Sequence, residues 1–142
     1  MEVRRARDRA EVDAALALRE QVFCVEQGVE LAADQDGLDD GAIHVVAVDE
    51  SHVVGTCRVL LGEDGIGRLG RMAVDRPVRG RGVGAAILAA AEHSARESGA
   101  HTMRLHAQRY VEHMYAAAGY SVYGEPFVEE GIPHVSMEKP LA

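Results

Sequence analysis

Arg71-Met72-Ala73-Val74-Asp75-Arg76-Pro77-Val78-Arg79-Gly80-Arg81-Gly82-Val83-Gly84-Ala85 is the stretch on which the fold turns. Its first residues close an apolar run from Ile66 to Val74 that reads as a strand. Asp75-Arg76-Pro77 stops the run, since proline offers no N–H to a ladder. Glycines 80, 82 and 84 then lead into Val83, Ile87, Leu88, Ala91 and Ala95, an apolar stripe at helical spacing that Gly99 ends. A strand that ends in glycines and opens a helix is a natural anion site. Glycine lets backbone amides approach the ligand, and the helix dipole favours negative charge.

Upstream, Val3 to Arg5 reads as a short strand, and Asp8 precedes a helix with Val12, Leu16, Arg19 and Phe23 on one side, ended by Gly28. Glu30 to Gly41 carries Asp34, Asp36, Asp39 and Asp40 and reads as an acidic loop, either a solvated face or a lure for a cationic amine. Ile43 to Val48 and Val53 to Leu61 are β-branched runs that form a hairpin. Downstream, His101 to Ala107 reads as a strand, and Val111, Met114, Tyr115 and Ala118 as a helical stripe. Tyr120 to Tyr123 and His134 to Met137 read as closing strands. The order β-α-β-β-β-α-β-α-β-β predicts one α/β domain on a mixed sheet, residues 1–142.

With 142 residues the chain buries roughly two-thirds of its unfolded surface and needs no metal or disulfide to fold. Fifteen basic against 23 acidic residues, net −8, argue against nucleic acid as a partner. No apolar core follows Met1-Glu2-Val3-Arg4-Arg5, and no window approaches the length that spans a bilayer, so the expectation is a cytoplasmic protein without a membrane partner. Cys24 and Cys57 make no metal cluster and read as packed thiols. The acidic loop has Leu38 and Asp39 where a calcium loop wants an Asp or Asn and then a Gly, and the histidines lack zinc spacing, so no metal is expected.

Three phosphate-binding readings compete for the glycine loop, beside the plain one of a tight strand-to-helix turn. A Walker loop needs lysine, and the chain has none before Lys139. A dinucleotide fingerprint fits Gly80-x-Gly82-x-x-Ala85 but lacks the acidic residue that should lie in His101 to Gln108. The third, Arg79-x-x-Gly82-x-Gly84 after the strand Arg71 to Asp75, closely resembles the acetyl-CoA loop of the GNAT superfamily of N-acetyltransferases. The resemblance continues in Gln108 to Tyr115 and Gly119-Tyr120. Leu18-Arg19-x-x-Val22-Phe23-x-x-Glu26-Gln27, Asp34-x-Asp36-x-x-Asp39 with His44, and Phe127-x-Glu129-x-Gly131-Ile132-Pro133-His134 with Met137 are similar to its ElaA/YjcF-like subgroup. Asp34 stands where the subgroup usually has Glu, and Met114 where it often has Phe.

The resemblance implies a mixed sheet splayed between its two central strands, with acetyl-CoA as co-substrate and direct transfer of the acetyl group to a primary amine of a small molecule or peptide. On that pattern Arg79, Gly80, Arg81, Gly82, Val83, Gly84 and Ala85 surround the diphosphate, and Gln108 contacts the coenzyme. Backbone amides of Met72, Ala73 and Val74 serve the pantetheine and the thioester oxygen. Tyr115 falls on the position of the general acid, while Glu26, Glu129 and His134 are the expected proton acceptors or substrate contacts. His44 reads as structural, and Cys24 as no nucleophile. The rival function is an acyl-CoA-binding module without turnover. The family contains many dimers, which leaves a homodimer open.

Overall fold

The computed structural model describes residues 1–141. Seven strands, β1 (Glu2–Arg5), β2 (Ile43–Asp49), β3 (His52–Leu61), β4 (Ile66–Val74), β5 (Thr102–Gln108), β6 (Ser121–Glu129) and β7 (Ile132–Pro140), form one mixed sheet in the order β1-β2-β3-β4-β5-β7-β6. Four helices join them: α1 (Arg9–Arg19), the one-turn α2 (Leu31–Asp34), α3 (Val83–Glu97) and the short α4 (Glu112–Ala117).

Local chemistry explains the boundaries. Asp8 caps α1 by accepting the Glu11 amide at 2.9 Å, and Arg4 of β1 donates twice to the Glu11 carboxylate at 2.7 Å, tying strand to helix. Glu50 and Ser51 both have positive φ, 48° and 69°, which gives the β2–β3 turn the twist its strands require. Glu130 and Gly131 repeat that arrangement between β6 and β7, at 50° and 74°. These last strands run longer than their sequence pattern suggests, so Glu129 lies on β6 and not in a turn.

Alternation along the strands builds the core on one face. Ile43, Val45, Ala47, Cys57, Val59, Leu69, Met103, Leu105 and Ala107 pack with Val83, Ile87, Leu88, Ala91 and Ala95 of α3. Gly55 is required there, since a Cβ would stand 2.6 Å from the Ile87 side chain. On the other face α1 buries Ala15, Leu18 and Arg19.

The helix departs from expectation in two ways. It gives way after Arg19 to a wider π-helical segment, Glu20–Glu26, and of the expected stripe Arg19 is buried, beside Ala15, Leu18 and Val22, while Val12, Leu16 and Phe23 are half-buried. Arg19 is 1% exposed, its charge answered by Asp34 at 3.3 Å and Asp39 at 2.6 Å. Arg58 of β3 binds Asp36 and Asp39, and Arg71 of β4 binds Asp34 and Asp36. Asp34, Asp36 and Asp39 are thus turned to arginines of the fold, while Asp40 remains a solvated charge. Three carboxylates of the acidic segment are so engaged by three arginines, and the buried pair Arg19–Asp34 needs that partnership most.

Candidate active site

The site begins where the sheet comes apart. Parallel pairing of β4 with β5 runs only from Ile66 opposite Thr102 to Leu69 opposite Leu105. On its other edge β4 carries a bulge, where Arg71 and Met72 together oppose Cys57 of β3. Arg71 adopts φ 56°, a left-handed conformation costly for a residue with a side chain. Its guanidinium holds that turn by donating to the backbone carbonyls of Ala33 and Asp34 at 3.1 and 3.3 Å. Beyond the bulge β5 stays with β7, Gln108 opposite His134, while Met72, Ala73 and Val74 stay with β3. A cleft opens between them, and β4 peptide groups on that side lack a strand partner among the described residues.

The glycine loop lies at the end of this cleft. Gly80 and Gly82 have φ 81° and 77°, which turn successive peptides outward, and Gly82 caps α3 without a side chain. Nothing lies within 4 Å of a Cβ built on either glycine, so the cradle is open. The first N–H groups of α3, on Val83, Gly84 and Ala85, have no intrahelical acceptors and face the loop end. Arg76, Arg79 and Arg81 are exposed around it. The residues therefore fit a diphosphate: open left-handed glycines, free amides and cationic side chains.

The π segment of the first helix bridges the mouth of the cleft. Glu26 is ion-paired to Arg79 at 2.9 Å and to Arg76 at 3.5 Å. These arginines hold its carboxyl below the ordinary range, Arg79 first among them. Gln27 accepts from the Gln108 amide at 3.1 Å. One short segment thus touches both arms of the split.

Tyr115 projects from α4 into the core on the α3 face, 5% exposed and edge-on to Tyr120 at 6.1 Å between rings. Burial pushes its hydroxyl well above the usual tyrosine range, so it stays protonated at every working pH. Met114, one residue before it, packs against the start of α3, 3.3 Å from where a Gly84 Cβ would lie.

His134 and Glu129 stand on the opposite face, with Gln108 and the π segment. The His134 Nδ1 lies 2.7 Å from the Ile132 carbonyl and must donate to it, so in the neutral ring Nε2 is the acceptor. That nitrogen is 3.7 Å from the Glu129 carboxylate. A residue absent from the sequence expectation joins them: His106, on β5, has Nδ1 3.7 Å from the same carboxylate and packs edge-on to Phe127 at 4.8 Å. Its position two residues before Gln108 put it on that face by strand alternation, which is the signal that could have found it. Glu26, by contrast, is drawn to the loop arginines and away from this group. His44 is structural, with Nε2 2.9 Å from the Asp39 carbonyl.

Known proteins give the same architecture. The model of the acetyltransferase (GNAT) domain matches residues 8–141. The uncharacterized N-acetyltransferase YjcF of Bacillus subtilis is 36% identical over 135 residues, 94% of this chain and 96% of that protein. The crystal structure of an acyl-CoA N-acyltransferase from Pseudomonas aeruginosa, 25% identical, superposes with a TM-score of 0.88 over 98% of this chain and 99% of its own. Escherichia coli ElaA, also 25% identical, gives 0.86 over 97% and 98%. The chain therefore belongs to the GNAT acetyltransferases, in the ElaA/YjcF-like subgroup, as an N-acetyltransferase that uses acetyl-CoA.

Proposed function

We propose that this enzyme transfers acetyl directly to a primary amine of a small molecule or peptide, with Tyr115 as general acid and His134 as proton acceptor. The observation that carries the proposal is the cleft between β4 and β5, which has Tyr115 on one face of the sheet and His134 with Glu129 on the other. Arg79, Gly80, Arg81, Gly82, Val83, Gly84 and Ala85 would hold the diphosphate, while Met72, Ala73 and Val74 offer backbone groups along the thioester arm. Gln108 lies at the far wall. Bound there, acetyl-CoA supplies an activated acyl carbon.

The residues divide the remaining work. His134 Nε2 and the Glu129 carboxylate face each other as two acceptors without a donor between them, an arrangement that an amine N–H completes. His134 takes the proton as the C–N bond forms, with Glu129 steadying the positive charge. Tyr115 gives its proton to the sulfur as the C–S bond breaks, and its depth keeps water from competing. The free thiols Cys24 and Cys57 accord with a reducing, cytoplasmic setting.

The test is thiol release from acetyl-CoA across a panel of sugar amines, polyamines, amino acids and peptides, with product masses. Tyr115→Phe should lower kcat by roughly a hundredfold or more and leave acetyl-CoA affinity unchanged. Release that survives in that variant would dismiss Tyr115 as the acid.

A further inference from the structure

We propose that Glu26 is a positioning residue for coenzyme binding: it holds Arg79 so that the free edge of its guanidinium meets the diphosphate. This rests on the glycine loop being the diphosphate site. The guanidinium is a planar fork with five donors. One side of it is already committed, since Nε donates to the Val74 carbonyl at 2.8 Å and Nη2 reaches both Glu26 oxygens, at 2.9 and 3.1 Å. Nη1 engages neither group, and the side chain is 39% exposed on that account. Two anchors from different elements, the end of β4 and the end of the π segment, thus fix the plane of the arginine.

The carboxylate that does this is itself well placed. Glu26 has 15% side-chain exposure, and Gln27 beside it is tied to Gln108 across the cleft, so the segment cannot drift from the loop. Arg76 lies 3.5 Å from the second oxygen, so both carboxylate oxygens are turned to the loop arginines. An arginine held in its binding geometry loses less side-chain freedom when the phosphate arrives, and affinity gains by that saving.

The experiment is calorimetry with coenzyme A on the wild-type protein, Glu26→Gln, Glu26→Ala, Arg79→Ala and the Glu26→Ala/Arg79→Ala double variant, with melting temperatures as the check on folding. Glu26→Ala should weaken coenzyme A by roughly tenfold, the loss of one charge-assisted contact, and Glu26→Gln by less. In the Arg79→Ala background the same change should alter the dissociation constant by no more than about twofold, because its effect passes through the arginine. With acetyl-CoA varied, the rise in its KM should exceed any fall in kcat, and kcat should keep the acid limb of its pH profile. An unchanged or tighter dissociation constant in Glu26→Ala overturns the proposal, as does a collapsed kcat with that limb lost, which would make Glu26 the proton acceptor. No heat with the wild-type protein would overturn the loop site as well.

Discussion

Gly82 stands at φ 77° ahead of α3, and Gly84 two residues later shows no such conformation, so the two glycines serve different ends. An L-residue in the left-handed region costs about 1–2 kcal/mol. Gly82→Ala should therefore lower the unfolding free energy by that amount and place a methyl in the open cradle, weakening coenzyme A in calorimetry. Gly84→Ala should be milder in stability, because its methyl would meet the sulfur of Met114, a side chain that can yield. The loop was legible in the sequence because its function is local: neighbouring residues make both turn and cradle. Glu26 was legible only as one member of a motif. Its partner is 53 positions away, and no spacing within a helix or strand reports such a pair. His106 escaped for a similar reason, since the carboxylate that gives it meaning comes from β6.

At the level of elements, the first helix shows how an apolar period can mislead. Its repeat located the helix, but the buried face includes Arg19, whose insertion depends on aspartates 15 and 20 positions downstream. The π segment then changes the turn angle, and a stripe drawn at constant pitch keeps Arg19 but misses Val22, which is buried deeper than Phe23. The same arginine–aspartate cluster makes an acid response inevitable. Asp36 and Asp39 are held below their ordinary range, Asp36 chiefly by Arg58, and Glu11 is lowered to about 2 by Arg4. A carboxyl with a depressed folded pKa binds fewer protons folded than unfolded. Its support is complete above the unfolded value near pH 4 and drains as pH falls through the folded one. Urea midpoints should hold between pH 7 and pH 5 and drop steeply from about pH 4 toward pH 2. A flat profile there would show the cluster to be energetically idle.

For the molecule as a whole, the fold class followed from the run of elements, and α3 covering one face was implicit in its apolar stripe. That the sheet parts between its central strands came from the family resemblance alone, not from the residue pattern. The parting depends on a bulge in β4 and on β5 keeping company with β7, both settled by distant pairings. The two halves, β1 to β4 and β5 to β7, are joined chiefly by the short parallel ladder, the core beneath α3 and the Gln27–Gln108 bridge. A ligand that occupies the gap should lock them together. Acetyl-CoA at a hundred times its dissociation constant should add about 2.7 kcal/mol and raise the melting temperature by roughly 5–10 °C, read by thermal shift. Desulfo-coenzyme A, which retains the diphosphate, should give most of that increment.

Arg71 brings a last consequence. A β-strand with unanswered peptide groups invites recruitment by a stray polypeptide, the usual opening move of aggregation. Here the exposed margin is bent by one left-handed residue and pinned by its own guanidinium to the carbonyls of Ala33 and Asp34. A crooked margin is a poor template for a straight intruder. The distortion that opens the cleft thus also makes its margin a poor match for an incoming strand.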